Sequence, residues 1–304
     1  MKYLFFNKNL ISSCRPKQWT KNLLVFSAPI FSFKYIPDIW ISAFVTFIGF
    51  CLLSSSIYLI NDVLDIKADK KHHKKKNRPI ASGLTSKKEA LSFSFFLLLI
   101  SYLISLSVNL EIVLIITIYL IIQILYCIKL KKKPILDIFC ISAGFLLRAI
   151  AGALSANLEI SPWFLLSVAL LALFLAIEKR KAELRVSISK GIVTREVLKY
   201  YSINLLSRYE NIVATSSFVS YSLWAAGPSL NGAPTSWMLL TVPLVLIGIF
   251  RYQLLSENKI QNNENLIIIK SENPEDILLQ DKGIKLILIS WLFVTISIGI
   301  FILP

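Results

Sequence analysis

Residues 39–69 read IWISAFVTFIGFCLLSSSIYLINDVLDIKAD, and the change of character inside this stretch decides the fold. Ile39 to Ile60 carries no charge, and Asn61 to Asp69 then holds three aspartates. A helix needs about 20 apolar residues to cross a bilayer, because only the helix itself can satisfy its backbone there. The run is long enough, and the acids fall where such a helix would emerge. At 3.6 residues per turn, Tyr58, Asn61 with Asp62, Asp65 and Asp69 stand a turn apart on one face. Like charges so placed repel by a few tenths of a kcal/mol in water, and by more where water is scarce. A divalent cation relieves that repulsion, and carboxylate and amide oxygens with phosphate oxygens are the usual surroundings of Mg²⁺. Asn61, Asp62, Asp65 and Asp69 are therefore the candidate catalytic residues and metal ligands of a Mg²⁺-diphosphate site. The competing reading is a solvated helix end whose acids are balanced by Lys67, Lys70 and Lys71.

The rest of the chain repeats the apolar pattern. Ala90–Leu110, Ile112–Ile128, Pro162–Ile177, Ser236–Phe250 and Leu286–Pro304 are also uncharged, and 55% of the 304 residues are hydrophobic. Nine helices are expected, roughly 20–34, 38–62, 87–107, 110–128, 134–156, 161–178, 208–226, 236–253 and 284–303. Nine spans use about 180 residues, so a single polytopic membrane domain over 1–304 is expected, with no soluble domain. The apolar stretch within Met1–Leu10 is four residues, too short for a signal peptide. Cys14, Cys51, Cys127 and Cys140 lack metal-ligand spacing and read as buried free thiols.

The net charge of +15 is mostly topological. Of 33 Lys and Arg, 31 fall in alternate loops on one side, leaving Lys34 opposite and Arg148 inside a helix. Positive loops stay in the cytoplasm. The N-terminus is then inside, the C-terminus outside, and the protein sits in the cytoplasmic (inner) membrane. The cytoplasmic loops are about 63–86, 129–133, 179–207 and 254–283, and the longer ones place function on the inner face. This distribution points to membrane rather than nucleic acid as the partner, and it is compatible with a homo-oligomer. Ser86-Lys87-Lys88-Glu89 has capping-box spacing, and Pro134 is expected to open a helix.

Asn61-Asp62-x-x-Asp65-x-x-x-Asp69, followed by Arg78-Pro79-Ile80-x-x-Gly83, resembles the first signature of the UbiA-type polyprenyltransferase superfamily. The resemblance implies an all-α integral membrane fold of nine helices around a cavity open to the cytoplasm, with Mg²⁺ holding a diphosphate. Further motifs resemble its decaprenyl-phosphate phosphoribosyltransferase branch. They are Arg15-Pro16-Lys17-Gln18-Trp19-Thr20-Lys21-Asn22, Asp69-x-x-His72, Leu130-Lys131-x-x-Pro134-x-Leu136-Asp137 and Gly144-Phe145-x-Leu147-Arg148. Lys179-Arg180-x-Ala182-Glu183-Leu184, Arg251-Tyr252 and Pro274-Glu275 continue the likeness to about residue 285. His73, where the branch more often has Pro, and the Ile-rich Asn262–Lys270 depart from it.

That branch implies transfer of 5-phosphoribose from phosphoribosyl diphosphate to a polyprenyl phosphate. By resemblance, Lys17, Lys21, Asn22, Tyr58, His72, Lys75 and Arg78 are expected to bind substrate, as are Lys131, Asp137, Arg148, Lys179 and Arg180. A charge at the depth of Arg148 costs about 2.5–3.5 kcal/mol on insertion scales. It reads as lining a substrate cavity, with a structural ion pair as the alternative. Asp137 is either a ribose or metal contact or the partner of a Lys. Trp19, Trp40, Trp163 and Trp237 sit near helix ends and read as interfacial anchors. Aromatic prenyltransferases of this fold carry a second Asp-rich cluster where this chain has Lys179-Arg180-Lys181-Ala182-Glu183-Leu184-Arg185. The basic run fits two anionic substrates better than a neutral aromatic acceptor. A transporter, the remaining rival, would place its polar groups near the bilayer midplane.

Overall fold

A computed structural model of the protein describes residues 8–71, 75–190, 195–258 and 280–302. His72, His73, Pro274-Glu275 and Asn262–Lys270 lie outside the described residues. Among those described there is no strand. The long helices are α1 (Pro37–Leu64), α2 (Lys87–Val108), α3 (Leu110–Ile128), α4 (Leu136–Ser155), α5 (Pro162–Lys190), α6 (Ile203–Ala225), α7 (Val242–Asn258) and α8 (Lys282–Phe301). Seven helical segments are long and apolar enough to cross a membrane, one for each of these helices except α6.

Two expected spans take another form. The first apolar segment is a 3₁₀ helix over Pro16–Phe26 followed by a short α-helix over Ser27–Ser32, not one α-helix. The segment around 208–226 is helical within α6, but that helix carries Arg208, Glu210 and six Ser and Thr residues. Two helix starts also differ in their outcome. Ser86 Oγ accepts from the Glu89 amide at 3.1 Å, and Glu89 Oε2 from the Ser86 amide at 2.9 Å, closing the expected capping box. Pro134, in contrast, stops short of α4. Ile135 follows it in a left-handed conformation (φ 70°), and the helix begins at Leu136.

The chain packs as two compact units, Met1–Lys131 with Gly144–Glu159, and Lys132–Ala143 with Ile160–Pro304. The division falls within α4, which contributes its first turns to one unit and the remainder to the other.

In the first unit α1 packs along α2, and both pack on α3. Helices in lipid gain little from apolar burial against one another, so small residues and hydrogen bonds bring them together. Here a serine ladder does so. Ser56 and Ser94 hydroxyls meet at 2.8 Å, Ser94 donates to the Ser56 carbonyl at 3.0 Å, and Ser101 donates to the Gly49 carbonyl at 2.9 Å. The 3₁₀ segment lies against α1, and its fully buried Val25 faces Gly152 of α4. In the second unit α5 packs along α6, and α7 on α8. Asp281 caps α8 through the Ile284 amide at 2.8 Å and accepts from Arg251 Nε at 3.0 Å and from one terminal nitrogen at 3.2 Å. All four cysteines are buried and free. Burial pushes the Cys14 thiol up to about 11, so it remains an unreactive thiol.

Two consequences can be measured. A Cβ on Gly152 would lie 1.8 Å from the Val25 carbonyl oxygen, whereas one on Gly248 meets nothing closer than 3.6 Å. Gly152→Ala should therefore cost about 1–3 kcal/mol and lower the melting temperature in detergent. Gly248→Ala should leave it unchanged or raise it, by removing a helix glycine. The bonds from Arg251 hold the Asp281 carboxyl below the usual range. A depressed carboxylate stabilises above its unfolded pKa, and that stability is lost as pH falls through the folded value. Protection factors at the start of α8, taken after correction for the intrinsic pH dependence of exchange, should thus be high at neutral pH and fall in strong acid. They should already be low at neutral pH in Asp281→Ala, which loses both the cap and the pair with Arg251.

Candidate active site

The candidate metal-binding face is built at the C-terminal end of α1. The helix does not run on smoothly as the sequence suggests. It ends at Leu64, Asp65 caps it (φ −93°, ψ 6°), and a short helix over Ile66–Lys71 restarts the turn. Register survives the break, because the Asp65 amide donates to the Asn61 carbonyl at 2.9 Å and the Asp69 amide to the Asp65 carbonyl at 2.8 Å. Asp62 is 2% exposed and Asp69 4%, while Asn61, Tyr58 and Asp65 are half-buried.

Buried carboxylates need cations, since an unpaired charge out of water costs several kcal/mol. Each of the three aspartates has one. Asp62 Oδ1 accepts from Arg15 in a short ion pair and from Arg78 at 3.1 Å. Arg78 also binds Asp69 Oδ2 at 2.6 Å, and Lys131 binds Asp65 Oδ1 at 2.6 Å. Arg15 stands in left-handed backbone (φ 52°) just before Pro16, and its guanidinium lies 4.9 Å from the centre of the Tyr58 ring. Such a conformation is costly and collects at functional sites. Among the described residues no group of three or more His, Cys, Asp or Glu is gathered to hold a metal ion. The donor chemistry nevertheless suits Mg²⁺, which takes one or two carboxylates and completes its octahedron with water and substrate phosphate.

Lys17 and Lys21 do not share a face as a four-residue spacing on an α-helix would give. They sit on the 3₁₀ segment, whose three residues per turn align i with i+3. Lys17 is exposed and Lys21 half-buried. Trp19 is tied inward, its indole N–H donating to Ser55 at 3.0 Å. Asn22 is fully buried, donating to Cys51 and Ser54. Lys75 is half-buried in a single 3₁₀ turn.

Arg148, 5% exposed, meets neutral partners. Its Nε donates to Asn22 Oδ1 at 2.6 Å, one terminal nitrogen to the Gly144 carbonyl at 2.6 Å and the other to Tyr119 at 2.7 Å. The guanidinium also lies 4.8 Å from the Tyr119 ring centre. These contacts join α4, α3 and the 3₁₀ segment, so the ion pair weighed for Arg148 is not among them.

In the second unit Asp137 and Arg180 are fully buried and bound to each other at 2.5 Å. Asp137 thus pairs with an arginine rather than with a lysine. Arg180 also holds Glu183 at 2.6 Å, and Arg195 holds the same carboxylate at 3.2 Å. Tyr201 donates to Asp137 at 2.7 Å and accepts the Ile135 amide at 2.7 Å, which fixes the left-handed turn before α4. Burial and this bond to Asp137 push the Tyr201 phenol upward, so it stays a donor. Lys181 is buried between Glu210, in a short ion pair, and Glu178 at 3.2 Å. The basic run of α5 is therefore not a free surplus of charge at Arg180 and Lys181. Lys179 is half-buried beside Glu183. Sequence reasoning missed Arg15 as a site residue, and missed Glu178, Glu210 and Tyr201 altogether. Arg15 lies 47 positions from Asp62, Glu210 29 from Lys181 and Tyr201 64 from Asp137, so no local spacing signals these three. Glu178 stands only three residues from Lys181, a helical spacing that could have signalled it.

Comparison with known proteins places this arrangement. The chain is 35% identical over 93% of its length to the decaprenyl-phosphate phosphoribosyltransferase of Mycolicibacterium smegmatis, covering 90% of that protein. It is 32% identical over 97% of its length to the protein of the same name from Corynebacterium glutamicum, covering 87% of it. A UbiA homolog from Archaeoglobus fulgidus, solved bound to DMAPP and Mg²⁺, shares the fold with a TM-score of 0.72 at 16% identity, over 97% of this chain and all of that one. The sequence model of the UbiA prenyltransferase family matches residues 25–268. With seven helices fit to cross a membrane, the chain belongs to the UbiA prenyltransferase family as an integral membrane protein.

Proposed function

We propose that the protein transfers 5-phosphoribose from phosphoribosyl diphosphate to a polyprenyl phosphate, with Mg²⁺ as cofactor. One observation carries the reading: three aspartates and three cations meet at the end of α1, in a chain alike over nine-tenths of its length to decaprenyl-phosphate phosphoribosyltransferases. The site faces the cytoplasm in a single domain of nine helices around an open cavity, with the 16–32 segment and α6 completing the spans. The 31-of-33 distribution of Lys and Arg supports that orientation.

Asn61, Asp62, Asp65 and Asp69 are the residues that would hold the ion with the diphosphate. Bound there, Mg²⁺ would neutralise charge on the leaving group. Arg78, Lys75, His72, Lys17 and Lys21 bind phosphate oxygens, while Tyr58 and Asn22 shape the wall beside them. Lys131 joins them at the donor's diphosphate, and Lys179 meets the second anionic substrate. Arg148 holds Asn22 in place, and Arg180 with Asp137 stiffens the start of α4.

During transfer the bond from ribose C1 to diphosphate oxygen breaks, and its electron pair leaves with the diphosphate. An oxygen of the lipid phosphate forms the new bond from the opposite face, inverting C1. A phosphate with second pKa near about 6 is largely deprotonated at neutral pH. The attacking oxygen then needs no general base, and the residues act by positioning and by electrostatic stabilisation. The product is polyprenyl-phosphoryl-5-phosphoribose.

The acceptor's phosphate should be obligatory, because each charged contact to it contributes about 1.5–3 kcal/mol and it supplies the nucleophile. Purified protein should ribosylate polyprenyl phosphate, leave free polyprenol untouched, and form no prenylated 4-hydroxybenzoate. Asp65→Asn should lower turnover at least about a hundredfold with an unchanged melting curve, and EDTA should abolish it. A prenylated aromatic product without ribosylated lipid would refute the assignment.

A further inference from the structure

We propose that Arg15, Arg78 and Lys131 are exchangeable cations, which neutralise the aspartates of the α1 terminus until a divalent ion takes the aspartates, and which then turn to the donor's diphosphate. This rests on the reading of the site as a Mg²⁺-diphosphate site. It adds Arg15 to the donor-binding residues and makes the filling of the site concerted, metal and diphosphate entering together.

Charge comes first. Asp62, Asp65 and Asp69 bring three negative charges, and Arg15, Arg78 and Lys131 bring three positive ones. The group is balanced at the end of an apolar helix, where uncompensated charge is expensive. A divalent ion arriving alone would leave two positive charges over, and it would have to displace guanidinium groups from Asp62 Oδ1 and Asp69 Oδ2. A diphosphate arriving alone would face three carboxylates. Arriving together, the ion takes the carboxylates and the phosphates take the released cations, so every charge keeps a partner.

The side chains are placed for such an exchange. The Asp62 and Asp69 side chains are 3% and 5% exposed and stand on helical backbone, so the acids are fixed. Those of Arg15 and Arg78 are 27% and 25% exposed, more open than the acids they hold, whereas in the third pair Lys131 is 15% exposed against 29% for Asp65. Arg15 also lies against the Tyr58 ring, 4.9 Å from its centre, in the position from which it pairs with Asp62, and an aromatic face helps to hold a cation there. Its left-handed backbone beside Pro16 carries a conformational cost of the kind that collects at functional sites.

The test measures metal binding rather than turnover. Full-length protein in nanodiscs is titrated with Mn²⁺, read by electron paramagnetic resonance, with and without inorganic diphosphate. In wild type, diphosphate should tighten Mn²⁺ binding about tenfold or more, as new charge-assisted contacts would. Arg78→Gln and Arg15→Gln should bind Mn²⁺ alone about tenfold tighter than wild type, and should gain less from diphosphate. Wild type binding Mn²⁺ equally well with and without diphosphate would overturn the proposal, and that arm requires no variant to fold. Variants that bind Mn²⁺ alone no tighter than wild type would overturn it as well, while leaving the Mg²⁺ site intact. Absence of Mn²⁺ binding under every condition, with transfer surviving EDTA, would instead remove the reading of the site on which the proposal rests.

Discussion

A carboxylate buried at the end of a membrane-length helix must be met by a cation, and the pairing of Asp62 with Arg15 and Arg78 is where that demand governs the protein. Asp62 is 2% exposed, two residues past a run of 22 uncharged residues. Leaving it unpaired would cost several kcal/mol. To supply Arg15, the N-terminal segment has to lie back across α1. It does so as a 3₁₀ helix tied by Trp19 to Ser55 and by Asn22 to Cys51 and Ser54. Arg78 comes from the turn that follows Lys75–Asn77 and binds Asp69, nine positions before it. The loop and the first segment are shaped by the acids they serve.

Arg148 extends the same logic inward. It is a buried cation held by a carbonyl, an amide and a phenol, reinforced by an aromatic face. Guanidinium suits such a site because its charge is spread and its donors are fanned in a plane. By holding Asn22 it anchors the segment that carries Arg15, so a residue deep in α4 has a bearing on the site at the end of α1. In the second unit, Asp137–Arg180–Glu183 and Glu178–Lys181–Glu210 follow the same rule, buried charges arranged so that each has an opposite beside it.

Much of the fold was legible in the chain because lipid leaves few options. Apolar length announces the spans, and the capping box at Ser86–Glu89 announces a helix start to the residue. Where reading failed, the cause is physical in each case. The first segment takes a tighter helix than its composition suggests, and it lies against α4 with Val25 close to Gly152. Lys17 and Lys21 therefore separate onto different faces. Pro134 lies before α4, not in it, because Tyr201, 66 residues on, binds the Ile135 amide.

The candidate site divides along the same line. Sequence by itself determined the membrane-spanning class and the row Asn61, Asp62, Asp65, Asp69, because helical periodicity and apolar length act between near neighbours, and its motifs carried the resemblance to the family. Only the tertiary structure decided what each charge meets. Arg15 reaches Asp62 across 47 positions, Lys131 reaches Asp65 across 66, and Arg180 is spent on Asp137 across 43. A run such as Lys179-Arg180-Lys181 looks like surplus positive charge until helices from elsewhere bring the acids that balance it. Electrostatic pairing depends on distance in space, and the sequence records only distance along the chain.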